Sequence, residues 1–228
     1  MLVTIDNVLT QDELAAVRDL LGQSRWESGM LTAGSQAAQA KNNQQLPEDA
    51  THLPALRLRV LDALNRTPIF FAAALPLKIL PPYFNRYSAA TNSYGFHTDG
   101  AMRLVPGLQG TYVRADISAT LFLSEPEDYE GGVLTIDDTF GTHGVKLKAG
   151  SLVIYPSSSV HAVTPVTQGE RVSCFMFIQS MVRDPAQRRL LYEMDMALLK
   201  LREEVGDTDP VVQLTGTYHN LLRRWAET

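Results

Sequence analysis

Residues 150–161 read Gly150-Ser151-Leu152-Val153-Ile154-Tyr155-Pro156-Ser157-Ser158-Ser159-Val160-His161. An apolar, β-branched run is followed by a proline, three serines and a histidine. This reads as a strand, a small polar turn and an imidazole delivered at its exit. The same texture extends outward from Leu77 to Val182, with strand-forming runs at Leu77 to Tyr87, Ala115 to Leu123, Val133 to Ile136, Val145 to Leu147 and Arg171 to Ile178. Turn signals separate these runs, among them Glu130-Gly131-Gly132, Ala149-Gly150 and Gln168-Gly169-Glu170, where glycine takes a positive φ that other residues resist. Several short strands at this spacing predict a sandwich or barrel.

Helical signals flank that segment. After a short strand at Leu2 to Ile5, Thr10-Gln11-Asp12-Glu13 spells a capping box, Leu14, Val17, Leu20 and Leu21 follow at helical spacing, and Gly22 is a natural stop. From Glu27 to Glu48, including Thr32-Ala33-Gly34-Ser35-Gln36-Ala37, no period emerges, and irregular or edge-strand structure is expected. A helix from about Leu53 to Leu64 carries Leu56, Val60 and Leu64 on one face. Beyond Met181, Asp184-Pro185 and Asp209-Pro210 each read as a cap followed by proline at the first helical position, the second helix ending near Trp225. The class is therefore mainly β with flanking helices (α+β): an N-terminal helix and strand region at 1–76, a barrel at 77–182 and a C-terminal helical extension at 183–228.

Composition narrows the chemistry. With 228 residues, 45% of them hydrophobic, the chain can bury one sizeable core. A formal charge of -5 leaves no large basic field for a phosphate backbone, so no nucleic-acid partner is expected. The single cysteine, Cys174, rules out an internal disulfide and a thiolate cluster, so any metal sits on nitrogen and oxygen. Met1 to Asp6 lack a signal-peptide pattern and no window approaches a membrane span, so the expected location is cytoplasmic, without a membrane partner.

Of the five histidines, His52, His97, His143, His161 and His219, only His97 within the β-rich segment has an acid two positions on, in His97-Thr98-Asp99. In an extended chain, side chains at i and i+2 leave one face about 7 Å apart at the backbone, so both can converge on one ion. Alone, such a pair is more often a solvated loop. Joined by His161 it makes two imidazoles and a carboxylate, the set that suits non-haem Fe(II) and leaves coordination positions open. Arg171 lies across the Gln168-Gly169-Glu170 turn, and a hairpin return there brings it back beside His161. A buried arginine needs a carboxylate, either an incoming dicarboxylate or an internal acid.

The ordered set Tyr87, Tyr94, His97-Thr98-Asp99, Glu130-Gly131-Gly132-Val133-Leu134, Gly150 to Pro156, His161 and Arg171 resembles the prolyl 4-hydroxylase-like branch of the Fe(II)/2-oxoglutarate dioxygenases. More narrowly, Tyr155 to His161, Gly169-Glu170-Arg171, Thr32-Ala33-Gly34 and the helical tail resemble the PKHD-type hydroxylases over nearly the whole chain. The resemblance implies a double-stranded β-helix, a jelly-roll-like barrel with iron at its mouth. It implies His97, Asp99 and His161 as metal ligands, Arg171 on the distal carboxylate of 2-oxoglutarate with Tyr87 assisting, and no catalytic side chain beyond the metal site. Collagen-type prolyl hydroxylases usually place lysine where Arg171 stands, which weakens an inference to proline as substrate.

By the same resemblance the reaction is hydroxylation of a C–H bond, with Fe(II), 2-oxoglutarate as cosubstrate and L-ascorbate as reductant. Related halogenases replace the carboxylate that Asp99 supplies. The substrate class implied is a siderophore-like small molecule linked to bacterial iron uptake, or a peptidyl residue. The aperiodic Lys41-Asn42-Asn43-Gln44-Gln45 is either a loop at the barrel mouth or a surface loop; in the first case Lys41, Asn43 and Gln45, with Tyr94, lie near substrate. Leu198, Leu201, Leu221, Leu222 and Trp225 either pack within the chain or join subunits in a homo-oligomer. His143, beside Gly141 and Gly144, is expected in a solvent-facing turn, with a third imidazole ligand as the alternative; His52 and His219 are expected at the surface or in helix packing, Cys174 in the core and Arg223-Arg224 in solvent. A metal-dependent sensor or binding barrel, and a purely structural barrel, are the competing readings. Arg171 separates the first from an oxygenase.

Overall fold

A period of two decides which side chains reach the interior of this molecule. In a computed structural model, which describes the chain apart from residues 33–39, 89 and 140 and the side chains of residues 31 and 32, the N-terminal part runs β1 (Val3–Ile5), α1 (Gln11–Gly22), β2 (Glu27–Ser28), a 3-10 turn (Gly29–Thr32), β3 (Lys41–Asn42), β4 (Gln44–Gln45), α2 (Leu53–Asn65) and α3 (Pro68–Ala74). Next come β5 (Pro76–Ile79), β6 (Tyr83–Ser88), β7 (Ser93–His97), β8 (Met102–Leu104), β9 (Tyr112–Arg114), β10 (Ile117–Phe122), β11 (Tyr129–Gly131) and β12 (Leu134–Asp138). The chain closes with β13 (Gly141–Val145), β14 (Leu152–Pro156), β15 (His161–Val163), β16 (Val166–Ser180), α4 (Pro185–Val205) and α5 (Asp209–Trp225). The expectation for Ala33 to Ala37 lies outside the described residues.

Two antiparallel sheets carry the fold. The larger runs β1-β14-β10-β16-β6-β4-β2, with β11 and β5 also paired to β16, and the smaller runs β13-β12-β15-β7-β3. On the outer face of the larger sheet, Ile117, Ala119, Leu121, Leu152, Ile154, Cys174, Met176 and Ile178 pack against Leu14, Val17, Leu56, Val60 and Phe70 of the first three helices. On its inner face, Tyr87, Phe122, Val153 and Tyr155 meet Leu134, Ile136 and Val163 of the smaller sheet. Both faces of β10 and β14 are thus buried; β14 reads accordingly as a continuous apolar run, whereas β10 places Ser118 and Thr120 at alternate positions on its inner face. With helices on one face and a second sheet on the other, the chain is a mainly antiparallel α+β structure.

The helix starts follow their local chemistry. Thr10 N donates to Glu13 Oε2 at 2.9 Å and Thr10 Oγ1 accepts from Glu13 N at 3.3 Å, closing the capping box on α1. Asp184 accepts from the amides of Ala186 and Gln187 at the head of α4. Helix α5 departs from its expected start: Thr208 holds the N-cap position without a side-chain hydrogen bond, and Asp209, expected as the cap, is instead the first helical residue, with Pro210 following it. Helix α3 went unforeseen, since its seven residues are too few to show a period. Helices α4 and α5 bury Leu191, Leu198 and Tyr218 against Leu75 and Val182, with Leu221, Leu222 and Trp225 packed alongside, so these apolar residues are used within the chain. Among the described residues no helix is long and apolar enough to cross a membrane.

Three strand expectations change, the first being the run from Val145 to Leu147, of which only Val145 is strand, at the end of β13. The run from Leu77 to Tyr87 is split at Leu80-Pro81-Pro82, because consecutive prolines have no amide to donate to a ladder. Gln168-Gly169-Glu170 is not a hairpin turn: it lies inside β16, with Gly169 at φ 72° and no room for a Cβ, which would stand 2.0 Å from the carbonyl oxygen of Asp128. Arg171 therefore does not return beside His161 in one hairpin. Strand β15 belongs to the smaller sheet and β16 to the larger, and the chain changes sheets at Thr164-Pro165.

Candidate metal centre and cavity

His97 ends β7 and His161 begins β15, and these two residues are register partners across that antiparallel pair. Their rings stand 4.2 Å apart, centroid to centroid. Asp99 follows just past the strand end, so its carboxylate is set by the exit of the chain rather than by strand alternation. One ligand atom each from His97, Asp99 and His161 lie within 4.8 Å of one another, and His161 Nε2 is 3.6 Å from Asp99 Oδ2. Among the described residues this is the group of imidazole, thiol and carboxylate donors able to share a metal ion.

The surroundings select the ligand form of each donor. His97 Nδ1 lies 2.8 Å from the Gly95 carbonyl and His161 Nδ1 lies 3.0 Å from that of Ser159. A carbonyl can only accept, so each Nδ1 carries the hydrogen and each Nε2 presents its lone pair. Burial, then the neighbouring His161, pushes His97 down to about 4 against the opposing pull of the Gly95 carbonyl and Asp99. Tyr94 stacks on His97 with centroids 3.6 Å apart, and Tyr155 meets His161 edge-on at 5.2 Å. Asp99 Oδ2 accepts from Ser118 Oγ at 2.6 Å, and Ser118 Oγ lies 2.7 Å from Ser157 Oγ.

Opposite these donors, Arg171 comes from the larger sheet, 1% exposed. It pairs in register with Tyr87 on β6, and its guanidinium carbon lies 5.2 Å from the ring centroids of both Tyr87 and Phe122. Arg171 NH1 donates to Ser173 Oγ at 2.7 Å, Ser173 Oγ donates to Asn85 Oδ1 at 2.5 Å, and Asn85 Nδ2 donates to the Tyr87 hydroxyl at 3.3 Å. Arg171 Nε is buried without a hydrogen-bond partner, as is the hydroxyl of Tyr129. No acid within the described residues forms an ion pair with Arg171. A buried cation left in this state is costly, and an incoming carboxylate is what the arrangement fits.

A cavity of about 340 Å³ joins the two halves, open to His97, Asp99, His161 and Arg171 alike. Lys41, Asn43, Tyr87 and Tyr94 line it too. Lys41 Nζ donates to Gln45 Oε1 at 2.8 Å, so Gln45 stands behind Lys41 rather than at the wall. Burial, then the charge of Arg103, lowers Lys41 to about 7 although Asp99 pulls the other way. The amide of Asn43 is buried with neither its oxygen nor its nitrogen hydrogen-bonded. Ser118, Asn85, Ser173, Arg103 and Tyr129 were not singled out from the sequence. Alternation could have found three of them, because Asn85 and Tyr87, Arg171 and Ser173, and Ser118 and Thr120 stand two apart on strands with a polar inner face. His143 is exposed, on strand β13 rather than in a turn and away from the metal donors, His219 is exposed on α5, His52 stands at the N-cap position of α2 without a side-chain capping bond, and Cys174 is fully buried with its thiol pushed up by burial.

Comparison with known proteins gives two family matches: residues 82–179 match the 2OG-Fe(II) oxygenase superfamily and residues 185–227 match the PKHD-type hydroxylase C-terminal domain. The chain is 70% identical over 228 residues to a PKHD-type hydroxylase of Azoarcus sp. (strain BH72) and 69% identical to one of Nitrosomonas eutropha, each covering 100% of both chains. Among solved structures, an oxidoreductase of the 2OG-Fe(II) oxygenase family from Burkholderia pseudomallei superposes with a TM-score of 0.52 at 18% identity, covering 78% of this chain and 84% of that one. HygX from Streptomyces hygroscopicus, with nickel, 2-oxoglutarate and hygromycin B bound, superposes with a TM-score of 0.52 at 15% identity over 78% and 82%. At those identities the two structures support the double-stranded β-helix core and nothing finer.

Proposed function

This chain belongs to the PKHD-type hydroxylases of the 2OG-Fe(II) oxygenase superfamily, and from that membership we propose that His97, Asp99 and His161 hold Fe(II) while Arg171 and Tyr87 hold the distal carboxylate of 2-oxoglutarate. The observation that carries the assignment is the pairing, in one cavity, of three convergent metal donors with a buried guanidinium that has no acid partner among the described residues. A metal sensor has no use for that guanidinium.

Bound Fe(II) would supply the oxidation, in which substrate, dioxygen and 2-oxoglutarate give hydroxylated substrate, succinate and carbon dioxide. The chain's part is to bind and orient. The Gly95 and Ser159 carbonyls hold both imidazoles in the tautomer that coordinates. Asp99 would supply one negative charge to the ion, and Ser118 holds its carboxylate in place through Oδ2. Arg171 offers a planar fork to a carboxylate, held in aim by Ser173 and Asn85. Tyr94 and Tyr155 pack on the imidazoles and limit water on that side. L-ascorbate is the reductant proposed to return oxidised iron to the ferrous state. For the substrate we propose a siderophore-like small molecule serving iron uptake, with a peptidyl residue as the alternative.

The test is anaerobic titration of the protein with Fe(II) and 2-oxoglutarate followed by visible absorption, then admission of oxygen and measurement of succinate. A charge-transfer band that saturates with 2-oxoglutarate, and succinate formed in proportion to it, is expected. Absence of both overturns the assignment.

A further inference from the structure

Burial alternates along residues 41–45: Lys41, Asn43 and Gln45 are buried, while Asn42 is exposed and Gln44 half-buried. Asn42 pairs with Ser93 of the smaller sheet, and Gln44 pairs with Arg86 of the larger. The chain thus crosses from one sheet to the other at Asn43, and the period of two turns this side chain toward the cavity that the sheets enclose, where it forms part of the wall. Of its planar amide, the oxygen is the end packed on backbone: a Cβ on Gly29 would collide with Asn43 Oδ1 and stand 3.1 Å from Asn43 Cγ. Gly29 N donates to the Asn43 carbonyl at 2.9 Å, which holds that close approach. The amide nitrogen is the end turned away from Gly29.

Asn43 is 2% exposed, and neither atom of its amide has a hydrogen-bond partner among the described residues. A buried amide in that state is a cost to the empty chain, and a ligand that accepts from it recovers part of that cost. The neighbours say what such a ligand presents. Burial pushes the Tyr87 hydroxyl up, opposed by Arg171 and then by the side chain of Asn43, so the amide adjoins the phenol that lies beside Arg171. The Tyr87 oxygen accepts from Asn85 Nδ2 and keeps its own proton to give. Arg171 Nε, close by, is also without a partner. A carboxylate offers about four lone-pair sites. A guanidinium fork fills two of them and the Tyr87 hydroxyl a third, which leaves one for a further N–H.

We propose that Asn43 Nδ2 donates to the far carboxylate of 2-oxoglutarate, which makes Asn43 a third cosubstrate-binding residue beside Arg171 and Tyr87. This inference rests on the assignment of Arg171 to that carboxylate. Arg171 and Tyr87 both belong to the larger sheet, on β16 and β6. With Asn43 added, the crossing between the sheets also takes part in selecting the cosubstrate, from a segment that lies outside the 82–179 oxygenase match.

The experiment measures 2-oxoglutarate binding by calorimetry to the full chain loaded with redox-inert Zn(II), beside urea unfolding of the ligand-free protein. Asn43→Ala should weaken 2-oxoglutarate by about tenfold to a hundredfold, the loss of a hydrogen bond to a charged group. Its Zn(II) affinity should be held, and its unfolding midpoint should be equal or higher, because an unpaired amide has gone. Asn43→Asp keeps the outline of the side chain but exchanges the donor for an acid, and should weaken 2-oxoglutarate further than Asn43→Ala does. Unchanged 2-oxoglutarate affinity in Asn43→Ala, with or without a lower unfolding midpoint, overturns the proposal. So does a loss matched by an equal loss of Zn(II) affinity, or Asn43→Asp binding 2-oxoglutarate as tightly as the unmodified chain. Failure of the unmodified chain to bind Zn(II) or 2-oxoglutarate overturns the assignment beneath it, and this inference with it.

Discussion

The Ser118 hydroxyl donates a 2.6 Å hydrogen bond to Oδ2 of Asp99. Because that proton is committed to the carboxylate, the 2.7 Å contact between Ser118 and Ser157 must be donated by Ser157. The carboxylate is thus aimed by a two-hydroxyl relay spanning β10 and the turn after β14. Ser118→Ala removes the aim and leaves the ligand. Partners of this kind are worth roughly 10- to 100-fold in metal affinity, so a fall of that size is expected in an anaerobic Fe(II) titration. Unchanged affinity would show that Asp99 needs no such anchor.

Asp99→Ala removes a charged donor outright. Two neutral imidazoles remain, and iron should bind too weakly to support turnover. Iron binding and succinate formation are the paired measurements; full retention of both would refute the ligand assignment.

Arg171→Ala should raise the 2-oxoglutarate requirement on the order of a hundredfold, the scale for truncating one partner of a buried charge pair, with a smaller effect on turnover at saturation. The ligand-free protein gives an independent readout. A buried guanidinium with no acid partner is a burden there, so Arg171→Met should unfold at equal or higher denaturant concentration than the unmodified chain. An unchanged cosubstrate dependence would make Arg171 purely structural.

In the metal-free protein, pH should act through two depressed groups. His97 is lowered from 6.5 to about 4 by burial and by His161. Between those values the unfolded chain binds a proton that the folded chain refuses, so this contribution to stability is whole above 6.5 and is lost as pH falls to about 4. Lys41 is lowered from 10.5 to about 7, so its contribution is whole above 10.5 and is lost as pH falls to about 7. Urea midpoints across pH 4 to 7 should slope less in His97→Gln, and those across pH 7 to 10 less in Lys41→Met. Parallel slopes would contradict the burial of either group.

How far the chain announces this arrangement depends on local order. The capping box at Thr10 and the proline starts of α4 and α5 are local chemistry and are legible residue by residue. The double-sided burial of β14 is legible as an apolar run, while that of β10 is hidden by Ser118 and Thr120, whose polar side chains sit at alternate positions. Strands β7 and β15, which bring His97 to His161, are not: one alternates weakly and the other has three residues, and both depend on partners distant in sequence. Arg171 shows the limit most clearly. A glycine between it and His161 suggests a hairpin, yet Gly169 spends its positive φ inside a strand, and Arg171 reaches the cavity from the opposite sheet.

Gly132 tests how tightly that guanidinium is seated. It holds φ 61°, and a Cβ there would lie 2.8 Å from Tyr129 Cε2, 2.9 Å from Val166 Cγ2 and 3.0 Å from Arg171 Cδ. Those three atoms belong to buried side chains with little freedom to retreat, and the backbone conformation itself disfavours an L side chain. Gly132→Ala should therefore destabilise the fold by about 1–3 kcal/mol and also push the Arg171 stem toward the cavity. The two effects separate in measurement: urea unfolding reads the first, and 2-oxoglutarate affinity at a temperature where the variant is folded reads the second. A variant that loses stability but binds 2-oxoglutarate as tightly as the unmodified chain would show that Arg171 takes its aim from Ser173 and Tyr87 alone, with Gly132 only making room.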